Sequence, residues 1–171
     1  MKPLKRKTIL EGIFLLYLLV LFWLLFARVH FSSGVGYWED IRSSFNGVPF
    51  YSIRQYFRIL FLGESHTYYF YAFVNLFGNI LLFVPFGFLA PLLNRRARNF
   101  FRLIPTFSAG ILAVELLQLL TLRGSCDVDD ILLNTFGCML GWIFWRSLDL
   151  EAKKRKVKKP VPHPNRKAEN R

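Results

Sequence analysis

Eight residues have side chains and spacings fit for chemistry. Glu115 and Gln118 stand three apart, and so do Asp127 and Asp130, with Asn134 four residues further on. Arg123 lies between these two groups, and Asn75 and Asn79 form an i, i+4 pair upstream. The carboxyl groups of Glu115, Asp127 and Asp130 are suited to general acid–base work or to ligating a hard, oxygen-seeking cation. The amides would fix a hydrogen-bonding ligand, and Arg123 is the natural counter-charge for Glu115. The three histidines, His30, His66 and His163, all lie outside the apolar runs described next. There is neither a Gly-x-Ser-x-Gly nor a zinc-type ligand spacing. No metal and no cofactor is therefore expected, and the reading leans towards binding over catalysis.

These groups sit in and beside hydrocarbon-like sequence. Of 171 residues, 53% are hydrophobic and 19 are Phe, and the mean hydropathy is positive despite 23 Lys and Arg. A soluble domain of this length does not need so many large apolar side chains. Four runs, about 9–27, 70–93, 103–122 and 131–148, each approach the roughly 20 residues a helix needs to cross a ~30 Å hydrocarbon core. A spanning segment must satisfy its own backbone hydrogen bonds, which selects helices. The expected fold is all-α: a polytopic membrane protein with four transmembrane helices. The first run has a basic start but is longer than a signal-peptide core and lacks a small-x-small cleavage site, so it reads as a retained span. Cys126 and Cys138 form no disulfide framework.

Charge placement predicts the orientation. Four Lys/Arg precede the first span, four lie between spans two and three, and ten follow or end span four, together 18 of 23. The other two loops mix their basic residues with acidic ones. The positive-inside rule then places both termini in the cytoplasm. The chain divides into a basic cytoplasmic N-terminus (1–8), a four-helix membrane domain (9–148) and a basic cytoplasmic tail (149–171), which its Lys-, Arg- and Pro-rich composition predicts to be disordered. The net charge of +12 flanks the apolar runs instead of lining a face with interleaved aromatics, so nucleic acid is not the expected partner. Membrane lipids are.

On the outer side, "SIRQYFRILF" (52–61) aligns Ile53, Tyr56, Phe57, Leu60 and Phe61 on one helical stripe, the pattern of a helix lying in the membrane interface or packing on the bundle. Asn46-Gly47-Val48-Pro49 before it reads as a turn. Asn75 and Asn79 fall near the outer end of span two, Glu115 and Gln118 near that of span three, and Asp130 and Asn134 near that of span four. At 1.5 Å per residue, all lie within roughly 15 Å of the outer surface. A lone polar residue in a span is most simply helix–helix glue. An acidic one is expensive there unless it is paired, protonated or facing water. The expectation is an outward-facing polar pocket built from Asn75, Asn79, Glu115, Gln118, Arg123, Asp127, Asp130 and Asn134. The simpler alternatives are a cap role for Asp127, dipole matching by Asp129 and Asp130, close packing through Gly137-x-x-x-Gly141 and a kink at Pro85 and Gly87. Cys126, in the outer turn, is expected to label from outside.

With these residues in view, the chain resembles the VanZ family of bacterial membrane proteins. The matching pieces are "NLFGNILLFVPFGFLAPLL" (75–93), "ELLQLLTLRGSCDVDDILLNTFGCMLG" (115–141) and, more weakly, "NGVPF" (46–50). The resemblance implies a multi-pass cell-membrane protein of the envelope. The family's founding member is associated with low-level resistance to the glycopeptide antibiotic teicoplanin. No established catalytic mechanism comes with it. The partners implied are a lipid-linked cell-wall intermediate or a glycopeptide. Two competing functions are an intramembrane enzyme acting on a lipid-linked substrate and a small proton-coupled transporter, for which four spans would need a homodimer to enclose a path.

Overall fold

The computed structural model describes residues 3–27, 34, 36–63 and 67–157. Helices α1 (Pro3–Phe26), α5 (Asn79–Leu93), α6 (Phe100–Leu120) and α7 (Val128–Val157) form the body. Shorter helices α2 (Tyr37–Ser43), α3 (Tyr51–Phe61) and α4 (Tyr69–Phe73) precede α5. A π-helical turn at Val74–Gly78 fuses α4 to α5, and a 3-10 turn at Arg95–Arg98 leads into α6. Two short strands, β1 (Phe45–Asn46) and β2 (Cys126–Asp127), pair in parallel with Phe45 opposite Cys126.

Among the described residues, four helical stretches are long and apolar enough to cross a membrane: Lys7–Phe26, Tyr69–Leu93, Phe100–Leu120 and Val128–Arg155. They match the expected spans to within a few residues, except at the end of the last. There α7 continues to Val157, nine residues into the tail that composition marks as disordered. Its Glu-Ala-Lys-Lys-Arg-Lys run is made of strong helix formers. The ion pairs Lys153–Asp149 (2.8 Å) and Arg155–Glu151 (3.9 Å) stand at i, i+4, which favours helix by a few tenths of a kcal/mol each. The remainder of the tail lies outside the described residues. Helix α1 exposes Leu15, Leu16, Leu19, Phe22 and Trp23 while burying Leu21, a surface suited to lipid and not to water.

A buried cluster of Leu21, Phe83, Ala90, Leu103, Phe107, Ile111 and Cys138 joins α1, α5, α6 and α7. The closest approach within it is between α5 and α7. A Cβ added at Gly137 would strike the carbonyl oxygen of Ile80, one at Gly141 that of Val84, and one at Gly87 that of Cys138. Lipid tails are as apolar as the helices, so association depends on close packing, and small residues permit it. The Gly-x-x-x-Gly face expected in span four is thus the seam of the bundle. Between α6 and α7, Ser108 Oγ lies 3.0 Å from Thr135 Oγ1. The expected kink at Pro85 is not the main irregularity of span two. Helix α5 runs unbroken through Pro85 and Pro91, and the departure from α geometry is the wide turn before Asn79.

Helix α3 forms as the stripe predicts. It packs on the bundle through Ser52 and Tyr56, both buried, and leaves Phe57 and Phe61 outward. The turn before it is an Asx turn, with Asn46 Oδ1 accepting from the amide of Val48.

Gly137→Ala and Gly141→Ala are each expected to destabilise the fold by about 1–3 kcal/mol through overpacking, because the obstructing atoms are backbone. Thermal unfolding of the detergent-solubilised protein, compared with Gly110→Ala, where a Cβ meets nothing within 4 Å, checks this.

Candidate functional site

Three helices bring six of the eight candidate residues to one cavity. Asn75 and Asn79 come from the segment around the π turn, Glu115 and Gln118 from the last two turns of α6, and Asp130 and Asn134 from the first two turns of α7. The cavity measures about 230 Å³ and lies at the end of the bundle where the β1–β2 pair and α3 sit. Gly124 and Ser125 complete its polar rim, while Leu24, Leu25, Val74 and Leu82 supply apolar wall. Glu115, Gln118, Asn75 and Asn134 are all more than nine-tenths buried.

The hydrogen bonds say what holds this arrangement. Asn79 Nδ2 donates to Asp130 Oδ1 at 2.6 Å, bridging α5 and α7 directly above the glycine seam. Asn75 Nδ2 donates back to the carbonyl of Tyr71 at 2.8 Å. Gln118 Nε2 donates to the carbonyl of Leu25 at 2.7 Å. Among the described residues, the buried Oδ1 of Asn134 has no hydrogen-bond partner.

Two expected members stand elsewhere. Arg123 does not line the cavity and does not serve as counter-charge to Glu115. It is exposed, and its Nη1 donates to the carbonyl of Phe26 at 3.0 Å. Helix ends leave their last carbonyls without intrahelical donors and carry partial negative charge, so Arg123 and Gln118 together cap α1. The turn that carries Arg123 is a tight one: its amide reaches back to the carbonyl of Gln118 at 2.9 Å, and Leu122, buried, takes a left-handed φ of 53°. A glycine is the usual residue there, and Leu122 holds the position by burying its side chain.

Asp127 is likewise outside the cavity and works as a cap. Its Oδ1 accepts from the amide of Asp129 at 2.8 Å, at the start of α7. Its Oδ2 accepts from Ser52 Oγ and from Asn46 Nδ2 at 3.2 Å. Asp129 is fully buried and accepts from the backbone amides of Phe50 and, at 3.0 Å, Ile53. These are orphan donors of α3's first turn, so Asp129 caps α3 from a different helix, just where Phe50 takes a left-handed φ of 62°. The carboxylates of β2–α7 thus tie down the loop before α3. Sequence reasoning gave Asp129 only a dipole role and missed Asn46 and Ser52 as its neighbours in this clamp. The Asn-Gly turn was the one local signal.

Tyr56, buried on α3, faces Tyr71 at a ring separation of 6.0 Å. Burial, then Tyr71 and the nearby Asp130, push its hydroxyl above the ordinary phenol range, so it stays neutral. Cys126 and Cys138 are both free and buried. Burial, reinforced by Glu115, Asp127 and Asp130, pushes the Cys126 thiol up. It is 2% exposed, which corrects its expected openness to labelling: the turn is at the surface, but the β1–β2 pairing turns this side chain inward.

Two outcomes follow for this end of the molecule. Because maleimides react with thiolate, and a raised pKa lowers the thiolate fraction at every pH below it, Cys126 is expected to react more slowly at neutral pH than a cysteine placed at exposed Val48, with the gap closing on unfolding. Asp129→Ala is expected to lower stability by about 2 kcal/mol and to speed hydrogen exchange of the amides at positions 50–53, read by mass spectrometry.

The segments on which the sequence resemblance rested, 75–93, 115–141 and 46–50, supply the cavity's amides and carboxyl groups, the α5–α7 glycine seam and the Asn46 end of the acidic clamp. No curated protein and no solved structure matches the chain. The sequence profile of the VanZ/LLP1 family matches residues 14–149, a stretch that runs from within the first span to within the fourth and takes in the acidic clamp and every residue of the cavity, and the chain belongs to that family.

Proposed function

We propose that this VanZ-family multi-pass membrane protein modulates the cell envelope and the response to teicoplanin-type glycopeptides through the cavity between α5, α6 and α7. The observation that carries the reading is the gathering of Asn75, Asn79, Glu115, Gln118, Asp130 and Asn134 around one cavity at one end of the bundle. Buried ionisable groups within spans are expensive and are kept for function by default. In this reading both termini are cytoplasmic and the cavity faces outward, as the three basic blocks favour. A lipid-linked cell-wall intermediate or the glycopeptide itself would reach it from that side. Teicoplanin resistance in the family's founding member is the analogy that supports the antibiotic part.

One observation favours a second reading, an intramembrane enzyme acting on a lipid-linked substrate. Glu115 and Asp130 line the same cavity, and two carboxyl groups in different surroundings are the usual equipment for acid–base chemistry. That reading requires turnover of an added lipid-linked substrate.

The test is teicoplanin susceptibility in a deletion strain complemented with wild type, Glu115→Gln or Asp130→Asn at matched membrane levels. Wild type is expected to restore tolerance and both variants to leave the strain as susceptible as the deletion. Equal tolerance with all three would remove the cavity from the glycopeptide response. Turnover by wild type that Glu115→Gln abolishes would favour the enzyme.

A further inference from the structure

We infer that a groove at the arginine-rich end of the bundle holds one anionic phospholipid, its phosphate on Arg96 and Arg102 and an acyl chain along the apolar floor. The groove lies between α1, α5 and α6 at the end of α5 away from Asn79. It is separate from the polar cavity and does not depend on what that cavity does.

The floor is built for hydrocarbon. The groove measures about 790 Å³. Phe86, Ala90 and Leu93 stand at i, i+4 and i+7, so they form one face of α5. Phe14 of α1 and Leu103 of α6 flank that face. At 1.5 Å per residue the floor runs roughly 10 Å down α5 from the end of its span. A soluble anion would leave that length uncovered, whereas an acyl chain already present at this depth covers it.

The rim is built for negative charge. Arg96, from the 3-10 turn, and Arg102, from the first turn of α6, line the same groove, and no acidic residue does. Other cations at this end are engaged with the protein. Arg98 Nε donates to the carbonyl of Pro91 at 3.1 Å, and Arg146 pairs with Asp149 at 3.4 Å. The acids are engaged too, Asp149 also with Lys153 at 2.8 Å and Glu11 with Lys7 at 3.5 Å. Among the described residues, no ion pair and no side-chain hydrogen bond ties Arg96 or Arg102 to the protein. Asn94 turns its Oδ1 to the amide of Arg96 at 2.9 Å, which leaves its Nδ2 donors for the rim. Helix α6 begins beside them without a side-chain cap, so its dipole adds positive potential.

Guanidinium forks match phosphate oxygens in pairs. A zwitterionic head group would bring its own cation against two arginines, and a net-negative head group would not. An acidic peptide would satisfy the rim but leave the floor uncovered. Basic pockets between spans accordingly take acidic lipid head groups.

The experiment uses the purified full chain in detergent, titrated by native mass spectrometry with phosphatidylglycerol, phosphatidylethanolamine and phosphatidylcholine of identical acyl chains. One phosphatidylglycerol is expected to bind about tenfold or more tighter than either zwitterionic lipid. Arg96→Gln combined with Arg102→Gln is expected to lower it to the phosphatidylcholine level. Lys154→Gln combined with Arg155→Gln removes the same charge from exposed positions of α7 and is expected to keep the preference. Thr106→Trp narrows the groove, leaves both guanidiniums and is expected to weaken the bound lipid. The comparison of three lipids on wild-type protein needs no variant to fold. Equal affinity for the three lipids would overturn the inference. So would an equal loss in both double variants, which would make the attraction diffuse surface charge. Competition by glycerol phosphate alone at lipid-like concentrations would overturn it as well, since the site would then take a free phosphate.

Discussion

The structure depends on one close contact: the backbone of α5 against the glycine face of α7. Carbonyl oxygens of Ile80 and Val84 occupy the space that methyl groups at Gly137 and Gly141 would take. In hydrocarbon there is no water-driven penalty to force two helices together, so the approach must be secured by packing and by polar bonds. Directly beyond this seam, Asn79 donates to Asp130. The glycines set the separation at which a short amide can reach a short carboxylate, and the same separation leaves the cavity between them and α6. A larger side chain in the seam would disturb the polar end without touching a polar residue.

The polar residues at that end then divide into two groups by what they face. Asp127 and Asp129 point towards the β1–β2 pair and α3, where hydroxyl, amide and backbone N–H groups compensate their burial. Glu115, Asp130 and Asn134 point into the cavity. The division explains why four acidic residues can coexist within sixteen positions of α6, its turn and α7. Asp127 and Asp129 are held by donors of the loop before α3, and Asp130 is held by Asn79 where it lines the cavity beside Glu115.

Much of this was legible in sequence, for a physical reason. Period, length and polarity act locally, so the apolar runs announced the spans, the Gly-x-x-x-Gly its packing face, and the i, i+3 and i, i+4 spacings the shared faces of Glu115 with Gln118 and of Asp130 with Asn134. What failed depends on partners far along the chain. Arg123 was expected to pair with Glu115, but its acceptor lies 97 residues away at the end of α1. Asp129 looked like a dipole-matching residue of α7 because its true partners, at Phe50 and Ile53, are 79 and 76 residues distant. The helical extension to Val157 was masked by composition, since a charge-rich segment reads as disordered until its i, i+4 pairs are counted.

The order of the elements along the chain has a consequence for how the protein is made. Helix α1, which precedes the other helices described, has a largely exposed apolar surface and can rest in a bilayer alone. Helix α5 cannot be so complete: the backbone surface over Ile80, Val84 and Gly87 is shaped for α7, which is synthesised after it. Since chains are built from the N-terminus onward, α5 and α6 must wait in the membrane with that surface covered by lipid, and with Asn79 and Gln118 meeting whatever polar groups the interface offers. The cavity comes into being only when α7 inserts. A chain truncated before α7 would therefore be a set of helices without this cavity, its glycine-shaped backbone surface on α5 left without a partner.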